Sequence, residues 1–268
     1  MNFTDLVLLE KGFDGIVFSE ENHSYRIKES SNEDICSVTQ LIKKYEPPFN
    51  SEKLACIVAK KQGVSTQDVL ELWNFKKEYA CEKGTIFHSY VESFLHKKKP
   101  IIDSKVIRKF VARYEHYVDE ETFYKDVAKY LNNFLSFHKW WKNDHVLIKT
   151  EFVMGDKDYS VAGCADNISY NFTDNKLVIL DYKTNKEIKT KGYNNEKMLK
   201  ELKHLNNCEL VKYSLQLNIY TEIIEKNTSF KLGNPSIIWV GGSEGFEVIP
   251  CLDLKKEAQL ILNLNKSE

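Results

Sequence analysis

The chain has little net charge, no clustered cysteines and no long apolar run, and each shortage removes a class of protein. Its 38 basic and 39 acidic side chains sum to −1, so no global field announces a polyanionic partner, and any affinity for nucleic acid has to be local. The six cysteines stand at 36, 56, 81, 164, 208 and 251, never within a few residues of one another. That spacing excludes a zinc ribbon or a local iron–sulfur pattern and favours reduced, mostly buried thiols. The opening MNFTDLVLLEKGFDG carries acids early and lacks a basic segment leading into an apolar core, and no later stretch reaches membrane-spanning length. A soluble, cytoplasmic protein with no membrane partner is the expectation. Internal repeats, long low-complexity linkers and a GxxxxGK[ST] phosphate loop are also absent.

What remains is a chain of 268 residues, 42% hydrophobic, able to bury a substantial core and read as one domain with insertions. Charge varies locally. Between Phe94 and His116, Lys97, Lys98, Lys99, Lys105, Arg108, Lys109 and Arg113 face only Asp103 and Glu115, and a second lysine-rich stretch runs from Lys183 to Lys212. Such runs are usually solvated faces, and beside a metal site they become phosphate contacts.

The segment HSYRI reads as a strand, ESSNED as a turn, and Ser37 with Gln40 as a capping-box start for a short helix ended by Pro47-Pro48, with a connector after it. Ser65 and Asp68 repeat the capping logic for QDVLELWNFKKEYA, which Gly84-Thr85 is expected to stop before IFHSYVESFL begins. The stretch from Lys105 to Trp141 is strongly helical, with Phe110, Tyr114, Tyr117, Tyr130, Phe134 and Phe137 as apolar anchors. Alternation takes over near Ile148: KTEFVMG, YSVAGCADNISY and KLVILDYKT predict three antiparallel strands, the last two a hairpin across Asn171 to Asn175. A helix over CELVKYSLQLNIYTEIIEK, strands in PSIIWVGG and GFEVIPCLD, and a closing helix complete the pattern.

Asp181 and Lys183 lie two apart on a predicted strand and so share a face, and a neighbouring strand would bring Asp166 alongside. Two carboxylates with an ammonium beside them suit a magnesium ion, which prefers oxygen ligands and keeps waters, one of which becomes a nucleophile. Tyr182 points the other way, though its backbone carbonyl offers another oxygen. His88 and Glu92, four apart on a helix, offer an imidazole ligand and an acid able to share the cation or orient the ring. Gln216 and Tyr220 repeat that spacing. Taken singly, each is an ordinary surface pattern.

In chain order, GTIFHSYVE, GCAD, DYKT and YSLQLNIY resemble the PD-(D/E)XK nuclease superfamily in its RecB-like and phage-exonuclease branch. The resemblance covers roughly Gly84 to Ile224, and SVTQLIKKYEPPF is similar to the N-terminal portion of phage members. It implies an α/β fold of restriction-endonuclease-like type: a mixed central sheet flanked by helices, an N-terminal strand and helix region over about 13–82 and a helical insertion over about 97–145, all within one nuclease domain. It implies a catalytic set of Asp166, Asp181 and Lys183 supported by Gln216 and Tyr220, metal ligands at His88, Asp166, Asp181 and the Tyr182 carbonyl with Glu92 in reach, and Glu151 as a supporting acid. Mg²⁺ or Mn²⁺ would be the cofactor. Ala165 stands where the superfamily's name has proline, and the lone Cys251 argues against the iron–sulfur cluster some members carry. The implied activity is hydrolysis of DNA phosphodiesters by an exonuclease of recombination, repair or phage DNA processing in a bacterium or phage-infected host. Its partners would be DNA ends and a recombination or single-strand-binding protein. A structure-specific or nicking endonuclease would use the same residues, and a catalytically inactive nucleic-acid-binding protein would keep the charges as a solvated pair.

Overall fold

The computed structural model describes residues 9–19, 22, 24–28 and 34–266. The turn expected over ESSNED lies outside these residues apart from Asp34, as does most of the N-terminal segment read above. Strands β1 (Ile16–Ser19), β2 (Ser24–Ile27) and β3 (Asp34–Ser37) lead into helices α1 (Val38–Lys43), α2 (Ser51–Gln62), α3 (Thr66–Leu95), α4 (Ser104–Arg113) and α5 (Glu120–Trp141). Then come β4 (His145–Asp156), β5 (Val161–Asn171) and β6 (Lys176–Lys183), followed by α6 (Glu209–Asn227), β7 (Ser236–Trp239), β8 (Glu247–Pro250) and α7 (Lys255–Asn265). Among the described residues the strands form one eight-stranded sheet in the order β1-β2-β3-β5-β6-β7-β8, with β4 paired to β5. Pairing is antiparallel except for β3–β5 and β6–β7, which are parallel. The expected α/β architecture, a mixed sheet flanked by helices, is the one observed.

One detail of this topology positions the site. Strand β4 follows one edge of β5 from end to end, whereas the other edge is shared. β3 pairs there at Val161 and Ala162, and β6 takes over from Asn167 onward. Gly163 to Asp166, the GCAD segment, is where the sheet forks.

The strict alternation of β6 divides the core. Leu177 and Ile179 enter a mainly aliphatic cluster with α1, α6 and α7, where Leu215, Ile219, Ile223 and Ile261 are fully buried. Val178, Leu180 and Tyr182 enter an aromatic cluster with α3 and α5. There the Tyr182 ring meets Phe87, Phe134 and Phe137 edge-on, with centroids 6.2, 5.6 and 6.0 Å away, a geometry aromatic quadrupoles favour. The α5 helix, expected as an insertion, thus covers one sheet face. Phe110, Tyr114, Tyr130, Phe134 and Phe137 are core, and Tyr117 is 42% exposed.

Both predicted capping boxes are present, at Ser37–Gln40 and Ser65–Asp68. Three readings need correction. Gly84 does not stop a helix: α3 runs unbroken for 30 residues, passing through the boundary expected near residue 82. A mid-helix glycine costs about 1 kcal/mol against alanine, offset here by packing on both sides of it, Phe87 and Val91 in the aromatic core and Lys83 reaching Asp126 of α5 at 2.6 Å. Residues 51–62, expected as a connector, form α2, capped by the Asn50 side chain and closed by Gly63 in the left-handed conformation. The thiols are free, but only Cys208 is buried; Cys81 is exposed and the others are half-buried. No helix among the described residues is long and apolar enough to cross a membrane.

Candidate metal centre and active site

The fork at GCAD gathers the charged residues. Glu151 stands on β4 between the pairs Thr150–Asn167 and Phe152–Ala165, which sets it opposite Asp166 on β5. The β5–β6 ladder runs to Asn167–Leu180, so the next residues out are Asp166 and Asp181. There the strands part, and the Tyr182 backbone N–H donates to Asp166 Oδ2 at 2.8 Å instead of to a carbonyl. Three acids from adjacent strands therefore meet in one row. Glu151 holds a left-handed backbone, φ 45°, which a non-glycine residue adopts at a cost of about 1–3 kcal/mol and which concentrates at functional sites.

His88 reaches the row from α3, its Nδ1 3.7 Å from Asp166 Oδ2. One ligand atom each from His88, Glu151 and Asp166 lie within 4.8 Å of one another, a nitrogen and two oxygens close enough to share one ion. Asp181 is outside this trio but beside it, 2% exposed and ion-paired with Lys183 on the same strand face. Glu92, one turn beyond His88, is exposed and also outside the trio, although its charge acts on Glu151.

The electrostatics fit a site built for a cation. Partial desolvation and then the charge of Asp166 push Glu151 up to about 7, with Glu92 and Asp181 acting the same way; because Glu151 is open to water, the like charges are the firmer cause. Burial pushes Asp181 up to about 6 even against the pull of Lys183. Burial also works against the Lys183 ammonium, but Asp181 and Asp166 outweigh it and hold Lys183 charged well above the usual lysine range. A carboxylate cluster whose protons are this weakly released in the absence of counter-charge is relieved by a divalent ion.

Helix α6 closes the other side. Gln216 Nε2 donates to Tyr220 Oη at 3.0 Å, and the Tyr220 ring lies so close over Gly163 that a Cβ there would come within 2.4 Å of it. Glycine in GCAD thus serves packing. Sequence spacing singles out Gln216 and Tyr220 but passes over Tyr213, whose ring lies 4.7 Å from Lys183 Nζ and whose hydroxyl donates to Asn185 at 3.1 Å. Its signal was available, since residues 213, 216 and 220 share one helix face. Tyr213 and Gln216 also line a cleft of about 310 Å³ together with Thr39, Glu46, Asn185 and Lys212. Glu151, expected only to support, is in the trio itself.

No protein-family model matches the sequence, and no curated protein matches it either. Among solved structures, the chain is similar to one from Eubacterium rectale provisionally described as an exonuclease, at 14% identity and a TM-score of 0.39, covering 70% of this chain and 65% of that one. The chain therefore spans a little under two thirds of the matched protein's length. A similarity of this size carries no argument about function.

Proposed function

We propose that the protein is a divalent-metal-dependent nuclease that hydrolyses DNA phosphodiester bonds, acting from ends as an exonuclease. The observation that carries the reading is the convergence of His88, Glu151 and Asp166 within 4.8 Å, with the Asp181–Lys183 pair beside them. These three residues would hold Mg²⁺ or Mn²⁺; the imidazole makes Mn²⁺ as credible as Mg²⁺. When bound, the ion lowers the pKa of a water and offsets charge on the phosphate.

The chain's own groups supply the rest. Lys183, kept charged by Asp181 and steadied over the Tyr213 ring, presents a positive donor where negative charge gathers on the phosphoryl oxygens, the point at which preorganised charge lowers the barrier. Asp166 is oriented by the Tyr182 N–H, and His88 is carried on a helix anchored by Phe87 in the aromatic core. Gln216 and Tyr220 fix the wall over Gly163. The order of GTIFHSYVE, GCAD, DYKT and YSLQLNIY supports the exonuclease part of the reading.

The test is degradation of end-labelled single- and double-stranded linear DNA, beside circular DNA, with Mg²⁺, Mn²⁺ or chelator. Linear DNA should be shortened only with metal and circles spared, while Lys183→Ala and Asp166→Asn lose the activity. Cut circles would make it an endonuclease on the same residues. Full activity in either variant, or none in the wild type with any metal, would falsify the assignment.

A further inference from the structure

Away from the metal trio, the C-terminal end of α3, the end of α5 and the start of β4 enclose a groove of about 620 Å³. None of its lining residues belongs to the trio. His138, Trp141 and His145 form a continuous aromatic stack along it, with centroids 5.3 and 6.0 Å apart. Among the described residues, His138 Nδ1, Trp141 Nε1 and His145 Nδ1 are all buried and without a hydrogen-bond partner, and Trp141 is only 4% exposed. Three buried, unpartnered nitrogens on side chains that line one groove mark a wall whose polar groups the fold itself does not meet. Asn171 Nδ2 donates to His145 Nε2 at 2.9 Å, which leaves the ring proton on Nδ1, so this nitrogen and the Trp141 indole are both donors. Lys97, Lys98 and Lys142 also line the groove. Lys97 holds a left-handed backbone, φ 56°, and the Lys98 N–H closes on the Ser93 carbonyl at 2.9 Å, so the chain turns back over the helix end and keeps both lysines there.

We infer that this groove holds one nucleotide of a DNA strand, its base inside against the aromatic and aliphatic walls and its phosphate on the lysines. A nucleotide matches both halves of the lining: its base has apolar faces for the walls and its phosphate meets the lysines. A hydrocarbon would leave the lysines unmet, and a bare anion would leave the walls unmatched. The groove lies along the seam that leads away from the metal centre. Leu147, in its lining, is four residues before Glu151 on β4, roughly 13 Å at strand rise, and between them Thr150 Oγ1 bonds His96 Nε2 at 2.8 Å. A strand engaged at one would pass the other. The strand's identity as substrate rests on the nuclease reading; the nucleotide site itself does not.

The experiment is titration of ¹⁵N-labelled protein in chelator, following the indole N–H signals, with Trp141 assigned by its loss in Trp141→Phe. Thymidine monophosphate and an oligothymidylate should shift the Trp141 signal saturably while Trp73 and Trp239 stay in place. The oligomer should bind roughly tenfold more tightly, and Lys98→Ala with Lys142→Ala should weaken it by roughly tenfold or more. Absence of a Trp141 shift, an equal shift with inorganic phosphate, or an oligomer no tighter than the mononucleotide overturns the inference. Because no metal is present, loss of binding beside intact metal-dependent cleavage sinks the groove alone, and binding without any cleavage sinks the nuclease reading alone.

Discussion

The two faces of β6 are built from neighbouring residues of one strand and do opposite things. On one, Tyr182 is sealed among Phe87, Phe134 and Phe137, its hydroxyl accepting from Asn167 Nδ2 at 2.9 Å. On the other, Asp181 and Lys183 leave the aliphatic core at the point where the sheet forks and the three-ligand cluster opens. Around Tyr182 the aromatic face has its polar group paired and rings packed on it from two helices, so it sets the position of the strand. The charged face carries acids held at high pKa and a lysine held in its charged form, so it is under electrostatic tension. Rigidity on one face allows that tension on the other.

The comparison breaks most visibly if the aromatic face is emptied. Phe134→Ala removes a fully buried ring and should cost about 3–5 kcal/mol, read as a lowered denaturant midpoint. Metal affinity, measured by calorimetry well below the transition, should stay within about threefold, since no ligand is touched. Conversely, Lys183→Ala leaves Asp181 buried without its partner and so also lowers the denaturant midpoint, but it alone should reduce cleavage measured well below the transition, by about 10²–10³-fold, as for loss of one preorganised charge donor. An equal loss of stability and activity in both variants would mean the two faces are not separable.

A smaller change sharpens the same contrast. Tyr182→Phe keeps the ring and the backbone N–H that holds Asp166, but strips the acceptor from Asn167, which is fully buried. The expected cost is about 1–3 kcal/mol for an unmet buried donor, with metal affinity unchanged. A fall in metal affinity would show that the hydroxyl, through Asn167 and β5, also places Asp166.

This division was half legible in the sequence. The period-two pattern of KLVILDYKT separates Tyr182 from Asp181 and Lys183, and the Ser37 and Ser65 capping boxes mark two helix starts, because both signals are local. What failed depended on long-range partners. Gly84 reads as a stop until Phe87 and Lys83 are seen holding the helix through it. The α2 helix reads as a connector despite Asn50 before it and Gly63 after it, because only two small residues, Ala55 and Ala59, are buried on it. Glu151 was seen as an acid near the site, but its place opposite Asp166 follows from β4–β5 register and an unusual backbone angle, neither of which composition encodes. Likewise the parallel β3–β5 and β6–β7 pairs, which create the fork, join segments more than fifty residues apart.

The subtlest effect concerns pH. Glu151 and Asp181 have ordinary values of 4.5 and 3.8 and stand at about 7 and about 6 in the metal-free fold. Their folded pKa values are raised, so the folded state binds their protons more tightly than the unfolded chain does. The stability they contribute is fully present below the unfolded values and is lost as pH rises through about 6 and then about 7. In chelator, Glu151→Gln should therefore melt higher than the wild type at pH 8 and show little difference at pH 4.5. Solvent around Glu151 screens part of the effect, which makes it the smallest of these changes. Saturating Mn²⁺ should reverse the order at pH 8, because the ion stabilises the folded state in proportion to its affinity and the glutamine is the poorer ligand. Were Glu151→Gln to melt higher at pH 8 with and without Mn²⁺, the strained acid on β4 would be a repulsive neighbour of the centre and not one of its ligands.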